Sequence, residues 1–196
     1  MLIALVGKAG AGKTTVADYL VANYGYKKIN FKDALVAEMR QKFPDVLREM
    51  GHFYHVTSKT WAAKFPELDT KTETLIDYLF QDKPPIMRAL MQNYGTEVVR
   101  AQDPQHWINA WQNKINEGDK IVVDDCRFLN EADAVKLNGG KIIRVEMIGY
   151  VERLKHSSET EQNQIEVDYV AKSKQGGHSF LYEQIDKIIN EQGKED

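Results

Sequence analysis

The stretch MLIALVGKAGAGKTTVA, Met1–Ala17, decides the fold of this chain. Leu2–Val6 is an unbroken apolar run, short enough for a buried strand of a parallel sheet. Gly7–Thr14 follows with no gap and has the spacing Gly-x-x-x-x-Gly-Lys-Thr, and Thr15–Asn23 has the pattern of an amphipathic helix. A strand, a glycine-rich loop and a helix in this order predict a phosphate-binding loop, or P-loop.

The groups on this loop suit a nucleoside triphosphate. Its backbone N–H groups would surround the phosphates, helped by the positive end of the helix that starts near Lys13. Lys13 would reach the β- and γ-phosphates, and the Thr14 hydroxyl would ligate Mg²⁺. The candidate ATP-binding residues of the loop are Lys8, Ala9, Gly10, Ala11, Gly12, Lys13, Thr14 and Thr15.

Composition limits the class of protein. A chain of 196 residues with 42% hydrophobic residues is expected to form one domain with a real core. The net charge of −3 argues against a general nucleic-acid-binding protein, and a single cysteine cannot form an internal disulfide. No apolar run approaches a membrane span, and Leu2–Val6 is too short for a signal-peptide core. We therefore expect a cytoplasmic protein without a nucleic-acid or membrane partner.

Predicted strands alternate with predicted helices along the chain. The strands are Leu2–Val6, Tyr26–Phe31, Lys120–Asp124, Lys141–Met147 and Val167–Ala171. The helices are 15–23, 33–42, 58–64, 72–81, 86–101, 104–116, 129–137 and 178–191, with Asp103 as the N-cap of 104–116. This alternation predicts an α/β fold, a P-loop three-layer α/β/α sandwich with a parallel sheet of about five strands.

Two segments stand apart from this single domain, residues 1–196. Residues 51–85 hold three of the five prolines and are predicted to be a small helical insertion, either a substrate cap or a surface for a homodimer. Residues 150–166 are charged and have little apolar patterning. They fit a short lid that closes over the triphosphate, because phosphoryl transfer must exclude water. The alternative is a solvated loop.

Further polar residues follow the third strand and line a predicted helix. Asp124 and Asp125 end that strand, where ligands bind in open α/β sheets. Because strand side chains alternate, only one of the two should face Thr14 and a metal ion. The alternative is that one of them merely caps the following helix. Arg127 and Arg100 could each bind a second phosphate, or be surface charges. Helical spacing puts Gln92, Thr96 and Arg100 near one face, which could contact a base or only water.

Several blocks together resemble the phage-type deoxynucleoside monophosphate kinases. The blocks cover most of the chain outside residues 51–85, and the Gly-Thr-Glu-x-x-Arg and Asp-x-Arg-Phe-x-Asn-Glu patterns within them are more specific than the P-loop. They are GKAGAGKTT at 7–15, INFKDAL at 29–35, QNYGTEVVRAQDPQHWINAW at 92–111, DDCRFLNEADAV at 124–135, HSSE at 156–159 and VDYVAKS at 167–173.

The resemblance implies a Mg²⁺-dependent kinase that moves the γ-phosphoryl group of ATP to a deoxynucleoside monophosphate, in the host cytoplasm if phage-encoded. It implies catalytic roles for Lys13, Asp125, Arg127 and Arg153, and a metal site at Thr14 and Asp125. Ser173 and Lys174 would lie near the donor adenine. The residues implied on the acceptor side are Phe31, Asp33, Gln92, Thr96, Arg100, Arg127, His156 and Glu159.

Two other classes fit the P-loop alone. One is a kinase of the same architecture for another phosphorylated acceptor, of the phosphomevalonate or dephospho-coenzyme A type. The other is a GTPase switch, which the residues disfavour: Asp-x-x-Gly is absent from the sequence, and 113–116, Asn-Lys-Ile-Asn, lacks the final Asp of a guanine-reading motif.

Overall fold

A computed structural model describes residues 1–58, 72–149, 161–174 and 176–192. Within these ranges one parallel sheet has five strands in the order β2-β3-β1-β4-β5. The strands are β1 Leu2–Val6, β2 Lys27–Lys28, β3 Ile121–Val123, β4 Lys141–Met147 and β5 Tyr169–Ser173. Because β1 pairs in parallel with both β3 and β4, the loop that leaves Val6 lies at the carboxyl edge of the sheet.

The helices separate the strands as the sequence predicts. They are α1 Lys13–Tyr24, α2 Lys32–Lys42, α3 Pro44–Thr57, α4 Thr72–Asp82, α5 Pro85–Gln92, a π-helix Asn93–Arg100, α6 His106–Gln112, α7 Leu129–Leu137 and α8 His178–Gln192; a short 3₁₀ turn spans Gln162–Gln164. None of the helices in the described part of the chain is both long and apolar enough to cross a membrane.

The chain divides into two compact units. The sheet unit consists of Met1–Lys32 and Ile108–Asp196, and the helical unit consists of Asp33–Trp107. The predicted insertion, residues 51–85, falls inside the helical unit; its role as a cap or dimer surface stays a prediction. A separate core of the helical unit is built from α2 to α6 and includes Met39, Leu47, Leu79 and Met87, all fully buried.

The sheet unit has the predicted three layers. Alternate strand residues face opposite ways, so that Ile3, Leu5 and Val122 pack against α1 and α8 on one face. Leu2, Ala4 and Val123 pack on the other face with α7 and Trp111. Every residue of β1 is buried. The sandwich predicted from the sequence is confirmed for this unit.

Several local predictions differ from the structure, among them the third strand, which is Ile121–Val123 rather than Lys120–Asp124. The second strand is only Lys27–Lys28 long, and the last strand is Tyr169–Ser173 rather than Val167–Ala171. The predicted helix 86–101 continues as a π-helix after Gln92. The helix predicted from Pro104 begins at His106, because Asp103 accepts a bond from the Gln105 N–H and holds a turn there. The predicted helix 58–64 lies mostly outside the described residues.

Candidate active site

The loop between β1 and α1 has the backbone of an anion-binding site. Gly12 precedes α1 in a left-handed conformation, with φ 103°, and as a glycine it offers no side chain to cap the first-turn N–H groups. Lys13 turns back over the loop, where its ammonium group donates to the carbonyl oxygens of Gly7 and, at 3.0 Å, of Lys8. The loop therefore combines N–H donors and a lysine at one place.

Gly7 is required by a close approach to β4. Its φ is +140°, and a Cβ built on it would lie 2.3 Å from the carbonyl oxygen of Val145. The Gly7→Ala protein should lose about 2–4 kcal/mol of unfolding free energy, because both the conformation and the contact become unfavourable. Denaturant titration measures this loss.

Gly10→Ala is the matched control for that variant. Gly10 also has a positive φ, +80°, but a Cβ there would meet nothing within 4 Å. Gly10→Ala should therefore lower the unfolding free energy only by the strain of a left-handed alanine, about 1–2 kcal/mol. Equal losses in the two variants would contradict the close-packing explanation.

Ser173 supports the loop from β5. Its hydroxyl donates to the Ala11 carbonyl oxygen at 2.7 Å, the Glu146 carbonyl oxygen lies 3.3 Å from the same hydroxyl, and the residue is buried. Lys174 is exposed, with its Nζ 4.3 Å from the centre of the Phe180 ring. The structure thus brings Ser173 to the loop as a backbone support, and the adenine contact predicted for both residues stays a prediction.

Asp124 is the carboxylate beside Thr14. The residue is 6% exposed, and the Thr14 side chain is among the groups that favour its charged form. Its carboxylate also lies 3.3 Å from Lys32 Nζ and 3.6 Å from Lys28 Nζ. Burial opposes the charge of Asp124, but the two lysines and the Thr14 hydroxyl outweigh it and lower its pKa. Asp124 is therefore an anion at neutral pH.

Asn30 fixes that carboxylate. Its side-chain amide donates to Asp124 Oδ1 at 2.8 Å, and its oxygen accepts from the Asp124 N–H at 2.9 Å. Asn30 is buried two residues after β2. The sequence alone does not identify Asn30, Lys28 or Lys32 as site residues. The only sequence signal is a polar asparagine between the apolar residues Ile29 and Phe31.

Asp125, predicted to be the metal ligand and a catalytic residue, is placed differently. Its carboxylate accepts from the backbone N–H of Phe31 at 3.1 Å and of Lys32 at 2.9 Å. Burial raises the pKa of Asp125, against the opposing effect of the Lys32 charge. The structure thus places Asp124 nearer to Thr14 and uses Asp125 to hold the backbone after β2; the metal and catalytic roles predicted for Asp125 stay predictions.

Arg127 follows β3 on a braced segment. Its backbone N–H and that of Phe128 donate to the buried Glu131 carboxylate, at 2.8 and 3.2 Å. The Arg127 residue is exposed. Phe31, predicted to border the acceptor, is buried with its ring centre 4.7 Å from that of Trp111, so its ring belongs to the core.

A cavity of about 260 Å³ adjoins the loop. Arg144 stands in its wall, and its guanidinium donates to the Ile165 carbonyl at 2.7 Å and to the Gln162 carbonyl at 3.3 Å. The residues that line the cavity are Gly7, Lys8, Ala11, Arg144, Val145, Glu146, Met147, Gln162 and Asn163. Arg144 is a cation beside the loop that the sequence did not single out.

The other predicted acceptor residues belong to the helical unit or lie outside the description. Asp33 is in the first turn of α2, Gln92 ends α5, and Thr96 and Arg100 are in the π-helix. Gln92, Thr96 and Arg100 are each half-buried. The predicted lid residues Arg153, His156 and Glu159 lie outside the described residues.

Comparisons with known proteins agree with one family. Its model, described as deoxynucleotide monophosphate kinase, matches residues 62–185, more than half of the chain. A putative deoxynucleotide monophosphate kinase of Acanthamoeba polyphaga mimivirus is 30% identical over 171 residues, covering 84% of this chain and 83% of the relative.

Two solved structures are also similar, a crystal structure from Thermus thermophilus and a dephospho-CoA kinase from Campylobacter jejuni. Each is 17% identical and covers 98% of this chain and 97% of the other, with TM-scores of 0.46 and 0.41. The family model and the mimivirus relative decide the assignment. This chain is an enzyme, a phosphotransferase, and belongs to the deoxynucleotide monophosphate kinase family.

Proposed function

We propose that the enzyme transfers the γ-phosphoryl group of ATP to a 5′-deoxynucleoside monophosphate and releases ADP and the deoxynucleoside diphosphate. The family supports the acceptor class. The proposal that ATP is the phosphoryl donor rests on the loop itself, where Lys13 and the uncapped start of α1 lie next to Thr14 and Asp124. N–H donors with a lysine suit the phosphates of a nucleoside triphosphate.

The reaction requires placement and charge neutralisation. An acceptor phosphate oxygen forms a bond to the γ-phosphorus, the bond from that phosphorus to the β–γ bridging oxygen breaks, and ADP leaves with this oxygen. Because the attacking oxygen is already anionic, no strong general base is needed. The loop N–H groups and Lys13 hold the donor, and Arg127 and Arg100 are the proposed cations for the acceptor.

A magnesium ion fits the donor set at Thr14 and Asp124. Both offer hard oxygen atoms, and Asp124 carries its charge at neutral pH. The described ranges hold no cluster of three or more His, Cys, Asp or Glu suited to a metal, and Mg²⁺ commonly takes only one or two protein oxygens besides phosphates and water. When bound, the ion would offset charge on the β- and γ-phosphates.

An acceptor panel tests the proposal. ADP release from ATP is measured with each deoxy- and ribonucleoside monophosphate, and with phosphomevalonate and dephospho-coenzyme A. At least one deoxynucleoside monophosphate should raise the rate by about 10²-fold or more over ATP alone, since a bound, oriented acceptor replaces water. ADP release that depends on dephospho-coenzyme A but on no deoxynucleotide would contradict the proposed acceptor.

A further inference from the structure

The π-helix Asn93–Arg100 is the unusual element of the helical unit. Its i→i+5 bonding is seen where the Ala101 N–H donates to the Thr96 carbonyl oxygen. π-Helical geometry is rare, mostly limited to single turns, and frequent at functional sites. Eight consecutive residues in this form therefore need support from the surrounding structure, and two of them, Thr96 and Arg100, are proposed acceptor residues.

The support comes from one carboxylate on α2. Glu38 accepts a hydrogen bond from the Tyr94 hydroxyl, and its Oε1 lies 2.7 Å from Lys42 Nζ. Its other oxygen lies 2.8 Å from His106 Nε2. Burial opposes ionisation, but bonds from Lys42, Tyr94 and His106 prevail and lower the pKa of Glu38 to about 2. Because an ionised carboxylate only accepts, His106 donates through Nε2–H.

The neighbouring residue Gly95 is fixed as well. Its carbonyl oxygen accepts from Trp107 Nε1 at 3.0 Å, and a Cβ on it would lie 3.0 Å from Leu35 Cδ2. Tyr94 and Gly95 are both buried. Two consecutive residues at the start of the π-helix are thus held by α2 and by the first turn of α6, immediately before Thr96.

We propose that Glu38 is a positioning residue for the acceptor monophosphate, which acts by holding Tyr94 and thereby the places of Thr96 and Arg100. The inference rests on the proposed function. Glu38 does not itself touch the substrate. The three bonds on its carboxylate join α2, the π-helix and α6, so removal of its charge changes where the π-helix presents its polar side chains.

The decisive variant is Glu38→Gln, which keeps the shape and removes the charge. The KM for the deoxynucleoside monophosphate should rise about tenfold, the effect of losing one hydrogen bond to a charged group. The KM for ATP should stay within about twofold, because the donor loop is unchanged. Merely structural damage would reduce the amount of active enzyme and lower kcat without separating the two KM values.

Two further variants complete the test. Tyr94→Phe keeps the buried ring and should raise the same KM about threefold, so it remains informative if Glu38→Gln fails to fold. The double variant should have no higher KM for the deoxynucleoside monophosphate than Glu38→Gln alone, because both changes break the same Glu38–Tyr94 interaction. Arg48→Gln is the matched control: it removes the exposed 2.7 Å pair with Asp45 on α3 and should leave both KM values unchanged.

The outcomes separate the two claims. If the unmodified enzyme phosphorylates a deoxynucleotide and folded Glu38→Gln keeps its KM for that acceptor, the positioning role is wrong and the proposed function stands. Additive effects of Glu38→Gln and Tyr94→Phe would also overturn the role. If the unmodified enzyme binds ATP but phosphorylates no deoxynucleotide, the function fails and the inference falls with it.

Discussion

Lys13→Ala should lower kcat by about 10²- to 10³-fold, the loss expected when one preorganised donor to a transferring phosphoryl group is removed. Lys13 bonds to the carbonyl oxygens of Gly7 and Lys8, so its ammonium group already lies over the loop. Its charge is therefore in place before the substrate arrives. Steady-state ADP release at saturating acceptor measures the loss.

The control for this variant is another lysine-to-alanine change in the sheet unit. Lys136 is on α7 and lies 3.7 Å from the exposed Glu166 carboxylate. Lys136→Ala removes the same charge from the protein but should change kcat by less than about twofold, because exposed pairs contribute little. If Lys13→Ala retained normal turnover while Lys136→Ala did not, the donor loop would be misassigned.

The amino-terminal part of the fold could be predicted because its signals are local. The apolar run of β1, the glycine spacing and the helix that follows are adjacent in the chain, and the structure places β1 at Leu2–Val6 as predicted. The helix Leu129–Leu137 and the strand Lys141–Met147 are also confirmed at both ends. A glycine pair separates them, and Gly139 adopts a φ of +71° there.

Other elements of the helical unit depend on tertiary contacts and could not be predicted from the sequence. The sequence did not predict α3, in part because Gly51 is a poor helix residue. In the structure Gly51 is buried, and a Cβ there would lie 3.0 Å from Leu75 Cβ, so the glycine permits close packing of α3 on α4. The π-helix could not be predicted either, because the residues that hold it, Glu38 and Trp107, lie outside its own segment of the sequence.

The choice between two adjacent carboxylates shows the same limit at the site. Strand alternation predicts that Asp124 and Asp125 point to opposite sides, although β3 itself ends at Val123. It does not say which side of the sheet α1 will cover. In the structure Val122 packs on the α1 face, and Asp124 comes two residues later on the same side. The phase of β3 is thus set by packing that the sequence does not reveal.

Asp124→Asn should lower Mg²⁺-dependent turnover by about 10²- to 10³-fold, because it removes the anion beside Thr14 where the metal is proposed to bind. The amide could still bond to Asn30, so the local structure should persist. A second measurement, independent of turnover, is ATP affinity by calorimetry with Mg²⁺ and with chelator. The benefit of Mg²⁺ should disappear in the variant, while affinity in chelator is kept.

Asp125→Asn discriminates between the two carboxylates. The Asp125 side chain accepts two backbone N–H groups, from Phe31 and Lys32, so its replacement should act on stability and leave the Mg²⁺ requirement within about twofold. The low pKa of Asp124 adds a pH signature, since its charge is lost only as pH falls below the ordinary carboxylate range. The Mg²⁺ benefit should therefore persist to acidic pH. A loss of that benefit in Asp125→Asn but not in Asp124→Asn would restore the sequence-based assignment.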